Sequence, residues 1–199
     1  MDVLPWVFSS GWASGINGYA VVLLLGLGGR IFGVDGVPPG LERTDVLIAA
    51  AVLVLLDLVA DKIPYVDSAW DMVHTAIRPT IGAVVGVLLA GQHDHETLLQ
   101  VVAGVTGGLS ALASHGVKAG VRAAVNGSPE PASNLVVSSA EDVTVAGVVA
   151  LSLLHPWIAA TIAALLLGAG VTVVILLWRR IRRGRAARRR RRAGEVAAL

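Results

Sequence analysis

Apolar positions in this chain come in long runs, separated by short polar or Pro/Gly-containing stretches, and the runs are too long to be strands. A helix needs about 20 residues, within a range of roughly 17 to 25, to cross the hydrocarbon of a bilayer. The first run extends from Ile16 to Gly33 and stops at GVDGVPPG, where helix is disfavoured. The second, VLIAAAVLVLLDLVA, opens after Thr44-Asp45 and closes at Asp61-Lys62-Ile63-Pro64. A third starts at Pro79, a suitable first-turn residue, and ends at the polar His93–Glu96. The fourth covers Leu98 to Ala124 and is rich in small residues. The last, Val143 to Trp178, is too long for one crossing, and His155-Pro156 near its middle divides it into a fifth and a sixth. The pattern predicts an all-α polytopic membrane helix bundle of about six transmembrane helices.

Between the second and third runs the pattern changes. If Tyr65 to Ile77 is helical, Asp67, Asp71, His74 and Arg78 fall on one face at steps of 4, 3 and 4, with Trp70, Val73 and Ile77 opposite. That is a short amphipathic helix. It lies flat at the interface, or it re-enters the membrane beside Asp57 and lines a polar cavity.

Composition sharpens this picture. Only 15% of the 199 residues are charged, 55% are hydrophobic, and the mean hydropathy is +0.73. Soluble domains carry about 25% charged residues, so a soluble enzyme, a disordered chain and a nucleic-acid-binding domain with a dispersed basic face are all excluded. Of 16 Lys and Arg, ten lie between Arg179 and Arg192. The membrane domain is therefore expected over 1–178, with halves at about 14–92 and 97–178, and an Arg-rich tail over 179–199. The positive-inside rule puts that tail in the cytoplasm. With six spans the N-terminus joins it, and fourteen basic residues face inward against Arg30 and Arg43 outward. A five-span count would move the N-terminus, which carries no Lys or Arg before Arg30, to the outside. Nor does the N-terminus have the basic start of a signal peptide, so no leader is expected.

Three spans per half would relate the halves as inverted repeats, a pattern of secondary transporters. SGINGYAVVLLLGLGGR and GGLSALASHGVKAGVR both open on small residues and close on Arg, before a Pro-containing loop and an acid that opens the next span. The stretch Asp57–Gly82, DLVADKIPYVDSAWDMVHTAIRPTIG, together with Ser14-Gly15 and SPEPASN followed by Glu141-Asp142, carries a further message. Over residues 14 to 178 the chain resembles a bacterial family of small membrane proteins known only as domain of unknown function 4126. The resemblance implies one membrane domain in a bacterial inner membrane and no particular activity.

Ionisable groups inside spans need a reason. Asp57 and Asp61, one turn apart, can hold a cation or share a proton, or Asp61 can pair with Lys62 or a nearby Arg. His115, Lys118 and Arg122 share a face of the fourth span. They either contact a solute or neutralise Asp57, Asp61, Glu141 and Asp142, and on both readings the ADK end of the second helix faces HGVKAGVR. His93, Asp94, His95 and Glu96 lie on a short turn with ring spacing unsuited to a metal site; Glu130 belongs to a loop and His155 to a turn. The chain has no cysteine, and no catalytic motif, metal site or cofactor is expected. Small-xxx-small pairs at Gly11/Gly15, Gly82/Gly86, Gly104/Gly108 and Gly116/Gly120 suit close helix packing, within the chain or in a homodimer. The arginine tail suits anionic lipid headgroups. The sequence thus points to a transporter or permease-like protein for an unknown small solute, with a non-transporting scaffold or partner subunit as the other reading.

Overall fold

The computed structural model describes residues 3–63, 66–93, 96–125 and 131–197, without the side chains of 67–68, 93, 124–125, 131–134 and 184–197. His95, the 126–130 loop with Glu130, and the side chains of Asp67 and His93 thus lie outside the described residues. Six helices follow in order: α1 Val3–Phe32, α2 Thr44–Ala60, α3 Val66–His93, α4 Thr97–Val125, α5 Pro131–Leu154 and α6 Pro156–Ala197. No strand occurs among the described residues. Five stretches are long and apolar enough to cross a membrane: Val3–Phe32, Ala69–Gln92, Thr97–Ala123, Leu135–Leu154 and Pro156–Arg183. At 17 residues, α2 is about 25 Å long, slightly short of the hydrocarbon core.

The break at His155 is as expected: its N–H bonds Leu151 O, and its own carbonyl receives Ile158 N–H as α6 begins. Two other elements differ from expectation. Residues 66–93 form one continuous helix with Pro79 inside it, so the segment before Pro79 is neither a flat surface helix nor a re-entrant one. An internal proline is tolerated in a membrane helix packed among neighbours, although its missing N–H leaves Thr75 O without the usual helical donor; beside it, Ser14 Oγ donates to Arg78 O at 3.1 Å.

The second difference is α1. It begins at Val3 and breaks at Asn17, whose backbone is extended (φ −148°, ψ 93°). Asn17 Oδ1 accepts from Ala20 N–H at 2.9 Å, an N-cap that starts the helix again. The two halves run in opposite senses. Along residues 3–16, Gly11 lies against Gly107 and Ser110, Gly15 against Ala111 and Ser114, and Ile16 O meets Lys118, so this half is parallel to α4. After the break, Asn17 and Ala20 share a cavity with Asp142, and Gly28 lies against Leu153, so 18–32 is parallel to α5. Lys118 and Leu166 lie around one cavity, and Gly120 packs on Val174, so α6 runs with α4, while α5 returns the other way to meet it at His155. Hence α1 is a helical hairpin that enters the bundle from one end, turns at Asn17 and leaves by the same end. Gly33, at φ +62°, terminates it.

The hairpin sits at the centre and packs on every other helix. Val3, Trp6, Val7, Trp12, Ala13 and Ile16 are buried, so the re-entrant half is wrapped in protein, where interrupted helix is tolerated. Glycines make this possible: a Cβ on Gly11 or Gly15 would collide with α4, and one on Gly82 or Gly86 with Gly107 or Ala103. Three of the four small-xxx-small pairs thus serve packing among α1, α3 and α4, since Gly104 and Gly108 face Val87 and Ala83. The two halves of the chain are not matched at their first elements, because α1 doubles back and α4 runs uninterrupted for 29 residues. The end where α6 passes into its arginines is called the Arg end below; Val3 and Phe32 lie at the opposite end.

Candidate functional site

The hairpin tip meets a layer of charge. Eight ionisable side chains are at most 5% exposed: Asp57, Asp61, Asp71, His74, Arg78, His115, Lys118 and Arg122. The layer separates into two clusters.

In the first, Arg78 of α3 is the hub. Its Nη2 donates to Asp57 Oδ1 at 3.1 Å and its Nη1 to Asp71 Oδ1 at 2.8 Å. Trp70 Nε1 donates to the same Asp57 oxygen at 2.7 Å. The expected face of Asp71, His74 and Arg78 therefore exists, and it turns into the bundle. His74 Nδ1 lies 2.8 Å from Trp70 O, so Nδ1 carries a hydrogen, and Nε2 lies 3.0 Å from Tyr19 OH. Thr75 Oγ1 donates to Asp71 O and lies 3.1 Å from His115 Nε2, and His115 Nδ1 lies 3.3 Å from Arg78 Nη1. His74 is also enclosed by rings, with Trp70 at 4.7 Å and Tyr19 edge-on at 5.6 Å.

The second cluster joins the end of α2 to α4 and α5. Asp61 Oδ2 receives Lys118 Nζ at 2.5 Å and Arg122 Nη2 at 3.3 Å, and Arg122 Nη1 donates to Asp61 O at 2.9 Å. Arg122 also binds Glu141 at 2.6 Å, and Glu141 lies 3.7 Å from Lys118. Lys118 Nζ further donates to Ile16 O at 3.0 Å, a carbonyl released by the break at Asn17. At its margin Lys62 pairs with Asp142 at 3.1 Å. The expected opposition of the ADK end and HGVKAGVR is thus present. Asp57 and Asp61, however, do not act as a pair: the first turns to Arg78 and the second to Lys118 and Arg122. Burial explains the separation, because two carboxylates left side by side in a low-dielectric interior would repel, and each is stabilised by turning to a different cationic partner.

Among the described residues, charge is balanced in the second cluster, two acids against two bases, and also between Lys62 and Asp142. The first cluster sets two carboxylates against one guanidinium. There, Asp57 Oδ2, Asp71 Oδ2 and Arg78 Nε are buried with no hydrogen-bond partner among the described residues. A cavity of about 220 Å³, lined by Asp71, Met72, Thr75, Ala119, Arg122 and Ala123, adjoins both clusters. A second, of about 200 Å³, lies between the hairpin, α2 and α5, with Asn17 and Asp142 among its apolar walls. No group of three or more His, Cys, Asp or Glu suited to a metal occurs among the described residues.

Sequence reasoning missed Tyr19, Thr75 and the turn at Asn17, and it set Trp70 on the face opposite Asp71 and His74, whereas the indole turns to Asp57 and lies against His74. SGINGY was the available signal for the last, an Asn between glycines inside an apolar run. No curated protein and no solved structure shows a match to the chain. The model of one family, described as domain of unknown function (DUF4126), matches residues 4–178, from the start of the hairpin to the edge of the arginines, and the chain belongs to that family.

Proposed function

We propose that this integral membrane protein is a carrier for a small polar or ionic solute, acting at the charged layer beneath the hairpin tip, and that it is not an enzyme. One observation carries the reading: a helix interrupted at membrane depth delivers a released carbonyl and an N-cap into a layer of buried charge. Interrupted helices and intramembrane ionisable groups together mark solute and ion pathways. The site residues on this reading are Asp57, Asp71, His74, Arg78 and His115, with Asp61, Lys118, Arg122 and Glu141 as the balanced scaffold beside them and Lys62–Asp142 at the edge. The Arg end is cytoplasmic on this reading, on the strength of the arginine bias, and the membrane is a bacterial plasma membrane, as the family resemblance implies.

The second reading, a non-transporting scaffold or partner subunit, is favoured by the matched ion pairs around Asp61. Thiol accessibility separates the two, and the chain's lack of cysteine permits it directly. Single cysteines at Thr75 and Ala119, on the wall of the cavity beside Asp71, are expected to react with a membrane-impermeant reagent from the Arg end. One at Ser14, deeper under the tip, is expected to react from the opposite end as the carrier alternates. Absence of labelling at all three from both sides overturns the carrier and leaves the scaffold.

A further inference from the structure

Near the Arg end, α4 and α6 pack and then part. A Cβ on Gly120 would come within 3.0 Å of Val174, and one on Gly170 within 2.5 Å of Val117, so the two helices touch there. The next turn toward the Arg end opens a cleft of about 550 Å³ between Ala123 on one side and Leu177, Trp178 and Ile181 on the other, with Arg182 at its rim. The volume lies within the roughly 300–1,000 Å³ of small-molecule sites. Its walls are apolar, and no acidic side chain lines it among the described residues. The Arg182 guanidinium sits 5.9 Å over the Trp178 ring, which holds the cation beside the opening. Arg179, Arg180 and Arg183 are exposed in the same turns.

We infer that this cleft is a binding site for one anionic phospholipid of the leaflet at the Arg end. An acyl chain lies against Leu177 and Ile181, the phosphate meets Arg182, and Trp178 occupies headgroup depth, as amphipathic aromatics do. Charge complementarity selects the occupant. An apolar slot in a bilayer fills with lipid of any kind, but one rimmed by a held guanidinium prefers a headgroup with net negative charge. A basic pocket between helices is therefore distinct from the diffuse attraction that a run of arginines has for an anionic leaflet. This site does not depend on the carrier reading, since it lies outside the charged layer.

The test is native mass spectrometry of the full chain, titrated with phosphatidylglycerol or with phosphatidylcholine. One phosphatidylglycerol is expected to bind more tightly than the rest and than any phosphatidylcholine. Arg182→Gln is expected to weaken it about fivefold, the loss of one cation near an anionic headgroup, and Ala123→Leu, at an exposed position, to weaken it by narrowing the cleft. Neutralising Arg188, Arg189, Arg190, Arg191 and Arg192 is expected to leave this first lipid bound. Loss of the tight lipid in the distal variant with retention in Arg182→Gln would overturn the site, as would equal binding of the two lipids.

Discussion

Arg78 is the residue on which the charged layer turns, because it serves two buried carboxylates at once. Removing one partner of a buried ion pair costs about 3–5 kcal/mol, since the other charge is left uncompensated. Arg78→Met strands both Asp57 and Asp71 and should lose at least that much, read as unfolding of detergent-purified protein by heat or denaturant. Asp57→Asn is expected to be far milder, below about 2 kcal/mol: the amide oxygen still accepts from Trp70 and Arg78, and the guanidinium keeps Asp71. Asp61→Asn should resemble Arg78→Met, because it takes from Lys118 and Arg122 the buried carboxylate they share. If Asp57→Asn proves as damaging as Asp61→Asn, the surplus of acid around Arg78 has no energetic meaning. Residues of this kind were legible in the sequence because charge within an apolar run is conspicuous. Their pairing was not. Spacing places Asp57 and Asp61 on one helix face, but which cation each meets depends on α3 and α4, brought in from far along the chain. Tyr19 was illegible because an aromatic in an apolar run looks the same whether it packs on lipid or on histidine, and Trp70 was misplaced because helical spacing alone cannot say that its indole reaches across to Asp57.

At the level of elements, the hairpin shows what a hydropathy reading can and cannot deliver. Residues 18–32 face neighbours and lipid and are apolar enough to be found as part of a span. Residues 3–16 hold Pro5, Ser9, Ser10, Gly11, Ser14 and Gly15, small and polar groups that suit burial against α3 and α4 rather than lipid, and the expected span began after them. The same logic misplaced the start of α3: Pro79 is a good first-turn residue, yet buried neighbours let it sit mid-helix. Glycine substitutions test the packing. Gly15→Ala puts a methyl into the Ala111 carbonyl and the Ser114 hydroxyl, backbone that cannot yield, and is expected to prevent folding or to cost several kcal/mol. Gly116→Ala meets nothing within 4 Å and should be neutral or stabilising by up to about 1 kcal/mol through helix propensity. Asn17→Ala removes the cap on Ala20 N–H and should cost about 1 kcal/mol. Size-exclusion profiles and melting points of the three variants check the order. Equal behaviour of Gly15→Ala and Gly116→Ala would mean that α1 does not lie where these contacts put it.

Across the whole molecule, polarity is inverted relative to a water-soluble protein. Ile48, Val52, Leu55, Leu165 and Leu176 are exposed, whereas Asp57, Arg78, Lys118 and Arg122 are buried, the arrangement of a body surrounded by hydrocarbon. The membrane class, the six helices and the arginine-marked end were all readable from composition and run length. The path of the chain was not, because the positive-inside rule weighs loops and a re-entrant hairpin contributes none at its tip. That path has one consequence on the scale of the protein. A first helix that crossed would put both termini on one side of the membrane. A hairpin that turns at Asn17 is expected to leave α2 to α6 as the crossings, α2 by a short helix, and so to put the N-terminus and the arginine-rich C-terminus on opposite sides. The end that holds Val3 carries only Arg30 and Arg43 of the basic residues near it, which suits the non-cytoplasmic face. Epitope tags at the two termini of the full chain, digested by protease in sealed right-side-out and inverted vesicles, are therefore expected to be cleaved in opposite preparations. Cleavage of both tags in the same preparation would show that α1 crosses the membrane, and the hairpin, with the carbonyl it offers to Lys118, would have to be abandoned.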